Sequence, residues 1–309
     1  MDNQLTKIDK DLLLAVADLH KIPEGAYNIR KDGKLVSRSV NANIDIVSKT
    51  DKSGIDIIIK DGTKNQSVHI PVIVAEAGLH DLVYNDFYVG DNCDITIVAG
   101  CGIACGNSEN QGHDGVHTFH IGKNSRVVYI EKHVGLGDGK GKRTINPITN
   151  VNLSKNAYMK METSQLGGVT QSVRTTNAVL DDGSILDINE KLLTNDDDNA
   201  ETYFNVELNG EDCSTHVVSR AVAKNNSHQI YKSIIHGNNK CFGHTECDAI
   251  IMDNANIVAQ PELTAKSTDA SLIHEAAIGK IAGEQIVKLQ TLGLTEAEAE
   301  QEIINGFLR

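Results

Sequence analysis

Tryptophan is absent from the 309 residues, and aromatic side chains make up only 4% of them. A core without large rings must be filled by Ile, Val, Leu and Ala, which suit narrow stacked β layers better than a bulky sandwich. No apolar run approaches the roughly 20 residues of a spanning helix. The opening MDNQLTKIDKDLLL has a short apolar run among acidic residues, which is not a secretion-leader pattern. Together these features set the expectation of a cytoplasmic protein. Cations are in deficit, with 29 Lys and Arg against 42 Asp and Glu and a formal net charge of −13. Nucleic acid is thereby an unsuitable partner, since phosphate contacts need clustered Lys and Arg, and so is an anionic membrane surface. The 6 cysteines are too sparse for a disulfide framework in a chain of this length. They are expected as core residues, thiolates or metal ligands.

What is present is a turn signal that repeats. Residues 7–19, KIDKDLLLAVADL, read as a short amphipathic helix ended near Pro23, and NIDIVSKTDKSGIDIIIKDGT reads as β hairpins with Ser-Gly and Asp-Gly turns. From about residue 85, turn residues precede alternating runs at 92, 124, 156, 183, 212, 226, 239, 254 and 269. The early steps are 32, 32, 27 and 29, and the later ones, 14, 13, 15 and 15, are about half as long. A fixed period with one short strand per turn signal predicts a parallel β-helix with two strands per coil, in which equivalent positions stack in ladders. An irregular antiparallel sandwich, the competing architecture, also has short strands but no reason for the period. After residue 275 the pattern changes. Ile286, Leu289 and Leu292 with Gly293 behind them, then Thr295 and Glu298 in capping-box spacing, predict a helical pair. That pair is expected to cap the open strand edge or to dock a partner on its apolar face. The chain thus divides into a helix and hairpin region (1–84), a β-helix core (85–275) and a helical tail (276–309).

Two clusters carry chemistry. The first holds Cys93, Cys101, Cys105, His113, His117 and His120. C-x3-C followed by H-x3-H fits the grammar of a tetrahedral zinc site, with the Gly-rich link as a tight loop, so Cys101, Cys105, His113 and His117 are a candidate metal set. Buried structural cysteines satisfy the same spacing, and a strand would put His117 and His120 on opposite faces. The second cluster holds Cys241, His244, Cys247, His274 and Glu275. Glu275 follows Cys247 by 28 residues, about one coil, and residues one coil apart stack at roughly 4.7–4.9 Å. A thiolate, an imidazole and a carboxylate together suit iron or zinc, and thiolate suits iron–sulfur clusters. The same residues are also explained without a metal. Cys247 is then a core residue, and DASLIHEAAIGK is a strand that becomes a helix at His274–Glu275, where a carboxylate favours the helix N-terminus.

The segments HTECDAIIMDNANIVAQPEL and ASLIHEAAIGKIAGEQIVKLQTLGLTEAEAEQEIINGF resemble the core of the SufB/SufD family of iron–sulfur cluster assembly scaffolds. Cys247-Asp248, Pro261, His274-Glu275-Ala276, Glu284-Gln285 and Asn305-Gly306-Phe307 match that family's motifs in order, and the likeness reaches back through AVAKNNSHQIYKSIIHG. The resemblance implies a right-handed parallel β-helix core flanked by helical termini, and a scaffold rather than an enzyme. It implies a SufC-like ABC ATPase docked on the C-terminal helices, pairing of two subunits through their C-terminal parts (here a homodimer), and a transient cluster built from iron and sulfur at that junction. Cluster-acceptor proteins follow, with the sulfur donor unspecified. Cys247, His274 and Glu275 carry over as the cluster residues, with a Cys-to-Glu spacing slightly shorter than the family's. A further family cysteine, upstream in the core, has no counterpart. The matching place falls near Ala178, so sulfur enters through the Cys93, Cys101 and Cys105 group or arrives as sulfide. The alternatives are a β-helix enzyme of polysaccharide-lyase or acyl-transferase type and a metal-free adaptor for an ABC ATPase. An enzyme of that kind would need a carboxylate or basic array, and a lyase would need stacking aromatics.

Overall fold

The computed structural model describes residues 7–17, 25–106 and 108–309. It is mainly β, and the chain winds alternately through two ten-stranded sheets. One sheet stacks Lys64–Val74, Asp94–Ala104, Arg126–Leu136, Tyr158–Leu166, Ile185–Thr194, Cys213–Ala223, Cys241–Ile251 and Ser271–Gly279, each parallel to the next. The other carries His80–Val89, Gln111–Ile121, Ile148–Leu153, Gln171–Leu180, Asn199–Leu208, His228–Gly237 and Asn256–Ala265, also in parallel. This is the β-helix that the period predicts. Asp94 pairs with Arg126 and Arg126 with Tyr158, and Cys213 pairs with Cys241, so one coil separates register partners.

The repeated turn residues are what make this winding cheap. Asn92, Asn124 and Asn156 all have φ 56°, Gly183 has 61° and Asp212 has 57°. That left-handed region is open to Gly and tolerated by Asn and Asp, but costly for other residues. The stacked asparagines also bond to one another: Asn124 Nδ2 donates to Asn92 Oδ1 (3.5 Å) and Asn156 Nδ2 to Asn124 Oδ1 (3.3 Å). Between the turns, side chains alternate inward and outward with period two. The inward rows of both sheets form one long apolar core from Ala26 to Cys247, and Phe87 and Phe119 stack within it at 4.3 Å.

The N-terminal helix α1 (Lys7–Ala17) buries Leu12 and Leu13 against Ile29, Ile73 and Ala104, and Val16 against Val98. Residues 18–24, with Pro23, lie outside the described residues. The Gly-rich AGCGIA stretch is strand rather than a tight loop, because it is paired on both sides, and its glycines make room for this helix. A Cβ on Gly102 would stand 2.8 Å from Leu12 Cδ2. Ile44–Ser48 and Gly54–Ile59 form the expected hairpin, whereas Asp61–Gly62 is a corner at which the chain crosses to the other sheet.

At the C-terminus, α2 (Gly283–Thr291) and α3 (Glu296–Phe307) form the predicted pair. Gly293 has φ 99°, and Thr295 and Glu298 make a complete capping box. Two expectations fail here. The strand does not become a helix at His274–Glu275. It runs to Gly279, because unbroken pairing with Cys241–Ile251 supplies its backbone partners. Nor do the helices cap the strand edge: Ile304 and Leu308 pack on Val222, with Leu193, Ile250 and Met252 at the margin, so the tail lies on the outer face of a sheet. Asn256–Ala265 and Ser271–Gly279 are therefore each paired on one side only.

Candidate functional site

Cys247 is fully inward, 1% exposed, on the last strand that has neighbours on both sides. Its register partners are Ser219 on one side and Ala276, not Glu275, on the other. The coil here is 29 residues, one more than the Cys-to-Glu spacing, and a slip of one residue turns a side chain to the opposite face. His274 pairs with Thr245 and shares the inner face with Cys247, whereas Glu275 pairs with Glu246 and points outward. The structure thus joins two of the three predicted residues and separates the third. Burial, and then the charges of Glu190 and Asp248, push the Cys247 thiol up to about 12, so it is held protonated.

Behind Cys247 runs a file of polar groups that the sequence reading missed. Glu131, Thr163, Glu190, Ser219 and Cys247 occupy one inner ladder over successive coils. The signal was available, since stepping back from Cys247 by whole coils lands on these positions. Arg174, from the facing sheet, bonds to Glu131 and lies 3.6 Å from Glu190, and its Nη2 is 3.1 Å from His133 Nδ1. Burial alone would raise the Glu131 carboxyl, but Arg174, His133 and His117 outweigh it and hold the group well below its usual range. Burial raises Glu190, which accepts from Ser219 (2.8 Å) and Thr202 (3.1 Å). Tyr231, Thr245 and Ser233 continue the hydrogen bonds to the row that holds His274.

The first cluster does not assemble. Cys101, His113 and His117 point inward, but His113 Nδ1 sits 3.4 Å from Asp81 Oδ2, and His117 Nδ1 is 2.8 Å from the Tyr129 hydroxyl. Cys105 lies beyond its strand, 3.8 Å from the carbonyls of Glu109 and Gly141. As a strand requires, His117 is buried and His120 is exposed. Among the described residues, the one convergent group of three or more His, Cys, Asp or Glu is His244, Glu246 and Glu275, on the outer face. Ala178 is a buried inward position in register with Val151 and Val206, and it offers no donor. Among the described residues no helix is long and apolar enough to cross a membrane.

Residues 84–307 match the family model described as SUF system FeS cluster assembly, SufBD core domain. The chain is 29% identical over 257 residues to an iron–sulfur cluster assembly SufBD family protein of Methanothermobacter thermautotrophicus, an alignment covering 77% of this chain and 57% of that one. A protein of the same description from Methanocaldococcus jannaschii is 25% identical over 290 residues, covering 92% of this chain and 90% of the relative. One from Pyrococcus horikoshii is 28% identical over 233 residues, covering 75% and 69%. The chain therefore spans less than two thirds of the Methanothermobacter relative.

Proposed function

The chain belongs to the SufBD family of the SUF iron–sulfur cluster assembly system, and from that premise we propose that it is a scaffold subunit on which a cluster is built and handed on. The observation that carries this reading is the position of Cys247. It is a buried thiol one strand from an uncovered end, with His274 on the same inner face. Soft thiolate with imidazole is a donor set for the iron of an iron–sulfur cluster. Iron and sulfide are the cargo here, not resident groups. While Ser271–Gly279 covers the thiol, burial keeps it protonated and inert. Moving that strand, or bringing up iron, would release the proton.

The C-terminal tail, 276–309, is the means of moving it. Helix α2 buries none of its residues, and Val287 and Leu292 are 58% and 76% exposed. These suit docking by a SufC-like ABC ATPase, which would supply ATP hydrolysis from outside this chain. Helix α3 rests on Val222 and Ile250, on the two strands that hold Ser219 and Cys247, so a pull on the tail reaches the site. The unpaired edges 256–265 and 271–279 suit pairing with a second copy, which places two such sites at one junction.

Anaerobic reconstitution of the full chain with ferrous iron and sulfide is the test. Visible sulfide-to-iron absorption is expected in the wild type, and its loss in Cys247→Ala. An unchanged spectrum in that variant would remove Cys247 from the reading.

A further inference from the structure

We infer that His244, Glu246 and Glu275 form an exchangeable site for a divalent first-row transition metal on the outer face of the last two coils. His244 and Glu246 are alternate residues of Cys241–Ile251 and so point the same way, and Glu275 is the direct register partner of Glu246 on the next strand. One donor atom from each lies within 4.8 Å of the other two.

Two features of this patch suit a bound cation. The Nε2 of His244 is buried and has no hydrogen-bond partner, and its nearest carboxylate oxygen, Glu275 Oε2, stands at 3.6 Å, too far for a hydrogen bond. A buried nitrogen left unpaired is costly and rare. The imidazole is not free to swing away, because it stacks on His216 at 4.8 Å with the rings 9° from parallel. The second feature is a pair of glutamates directly opposite on neighbouring strands, which repel, with Asp248 adding a third carboxylate beside Glu246 and Arg220 supplying one positive charge nearby. One cation between the three side chains satisfies both.

The donor set fixes the class. Calcium and magnesium prefer all-oxygen shells, and monovalent copper prefers sulfur. One imidazole nitrogen with two carboxylate oxygens suits ferrous iron, manganese, cobalt, nickel or zinc. With a side chain 66% exposed, Glu275 leaves the remaining coordination positions to water, so the ion would exchange readily. Because His274 and Glu275 are consecutive strand residues, this harder outer site and the inner thiol lie on opposite faces of one sheet. The inference stands without the scaffold reading. If that reading holds, the ion is ferrous iron waiting outside the wall behind which the cluster forms.

The test is an anaerobic titration of the full chain with cobalt(II), followed by its visible spectrum, and with zinc by calorimetry. One bound equivalent is expected, with a cobalt spectrum free of thiolate charge transfer. Glu246→Gln and Glu275→Gln should each weaken binding about tenfold or more, by analogy with the loss on disturbing a metal's surroundings. Both change outward-facing side chains, and metal-free melting curves check that each variant folds. Should one fail to fold, His244→Gln replaces it. Cys247→Ala should bind as the wild type does. No binding, binding indifferent to both glutamine substitutions, or a thiolate band that disappears in Cys247→Ala would each overturn the inference. Reconstitution reads the inner thiol and this titration reads the outer face, so either idea can fail while the other survives.

Discussion

The two ends of the β-helix are finished differently. At the N-terminal end, antiparallel strands close each sheet, and α1 covers an outer face. Inward residues there are sealed: Ala26 and Ile44 are 0% exposed and Ile46 is 4%. At the C-terminal end, the inward Ile278 is 41% exposed, while Ala259, Leu263, Ala270 and Leu272 are only partly buried against the core. No hairpin closes the last two strands, and the helical tail has moved to the side of the sheet. Long open edges are an aggregation hazard that proteins usually blunt. The difference teaches which end of the stack is closed by its own hairpins and which leaves its last strands paired on one side only, and the predicted cluster residues lie at the second place.

The first way to break this comparison is inside the sealed part. Arg174 is fully enclosed between Glu131 and Glu190. Arg174→Met should cost about 3–5 kcal/mol, since it leaves two buried carboxyls without their cation. The loss should be visible in the urea midpoint, and Glu131→Gln added to it should restore part. A cost below about 1 kcal/mol would mean that the interior is wet and loosely packed, not sealed.

Acid probes the same region more gently. His117 is brought down to about 4 by burial, which Glu131 only partly offsets. In the unfolded chain an imidazole titrates near about 6.5. Between those values the unfolded state holds the extra proton, so this contribution is complete above the unfolded value and is lost as pH falls through the window. The loss should approach roughly 3 kcal/mol, an order-of-magnitude figure. His274 is lowered for the same first reason, but it sits at the open end and is only partly buried. Urea midpoints compared at neutral pH and at mildly acidic pH should show the fall, and His117→Gln should flatten it. A fall that persists in that variant would move its origin elsewhere.

How much of this was written in the sequence follows from what turns and ladders demand. Asn92, Asn124 and Asn156 mark left-handed corners by their chemistry alone, so coil length and strand stacking were legible. The inner file from Glu131 to Cys247 was legible in principle from the same step. The face of Glu275 was not, because one extra residue in the coil reverses it, and spacing read to the nearest coil is too coarse. The Ala276–Ala277 run looked helical because local propensity favours it, yet the strand alongside decided otherwise. The Cys101 and His113 group had metal-like spacing, but His113 faces Asp81, His117 is held by the Tyr129 hydroxyl, and Cys105 lies beyond its strand against a backbone carbonyl.

The sharpest test of the comparison is also the one with the smallest effect on stability. Ile278 continues the inward row through Ala249, which is 4% exposed, but Ile278 itself meets solvent at the open end. A lysine there stays hydrated in a single subunit, so Ile278→Lys should change the melting free energy by no more than about 0.5 kcal/mol. A second copy seated on that end would have to bury the charge, which is expensive. Light scattering should therefore find the wild type as a dimer and the variant as a monomer that still melts cooperatively, lower only by the stabilisation that dimerisation had added. Ile44→Lys places the same charge in the closed end, where nothing can open without unfolding, and should abolish the folded state. A dimer that survives Ile278→Lys would show that the open end is not where two copies meet, and would leave the exposed strands to some other cover.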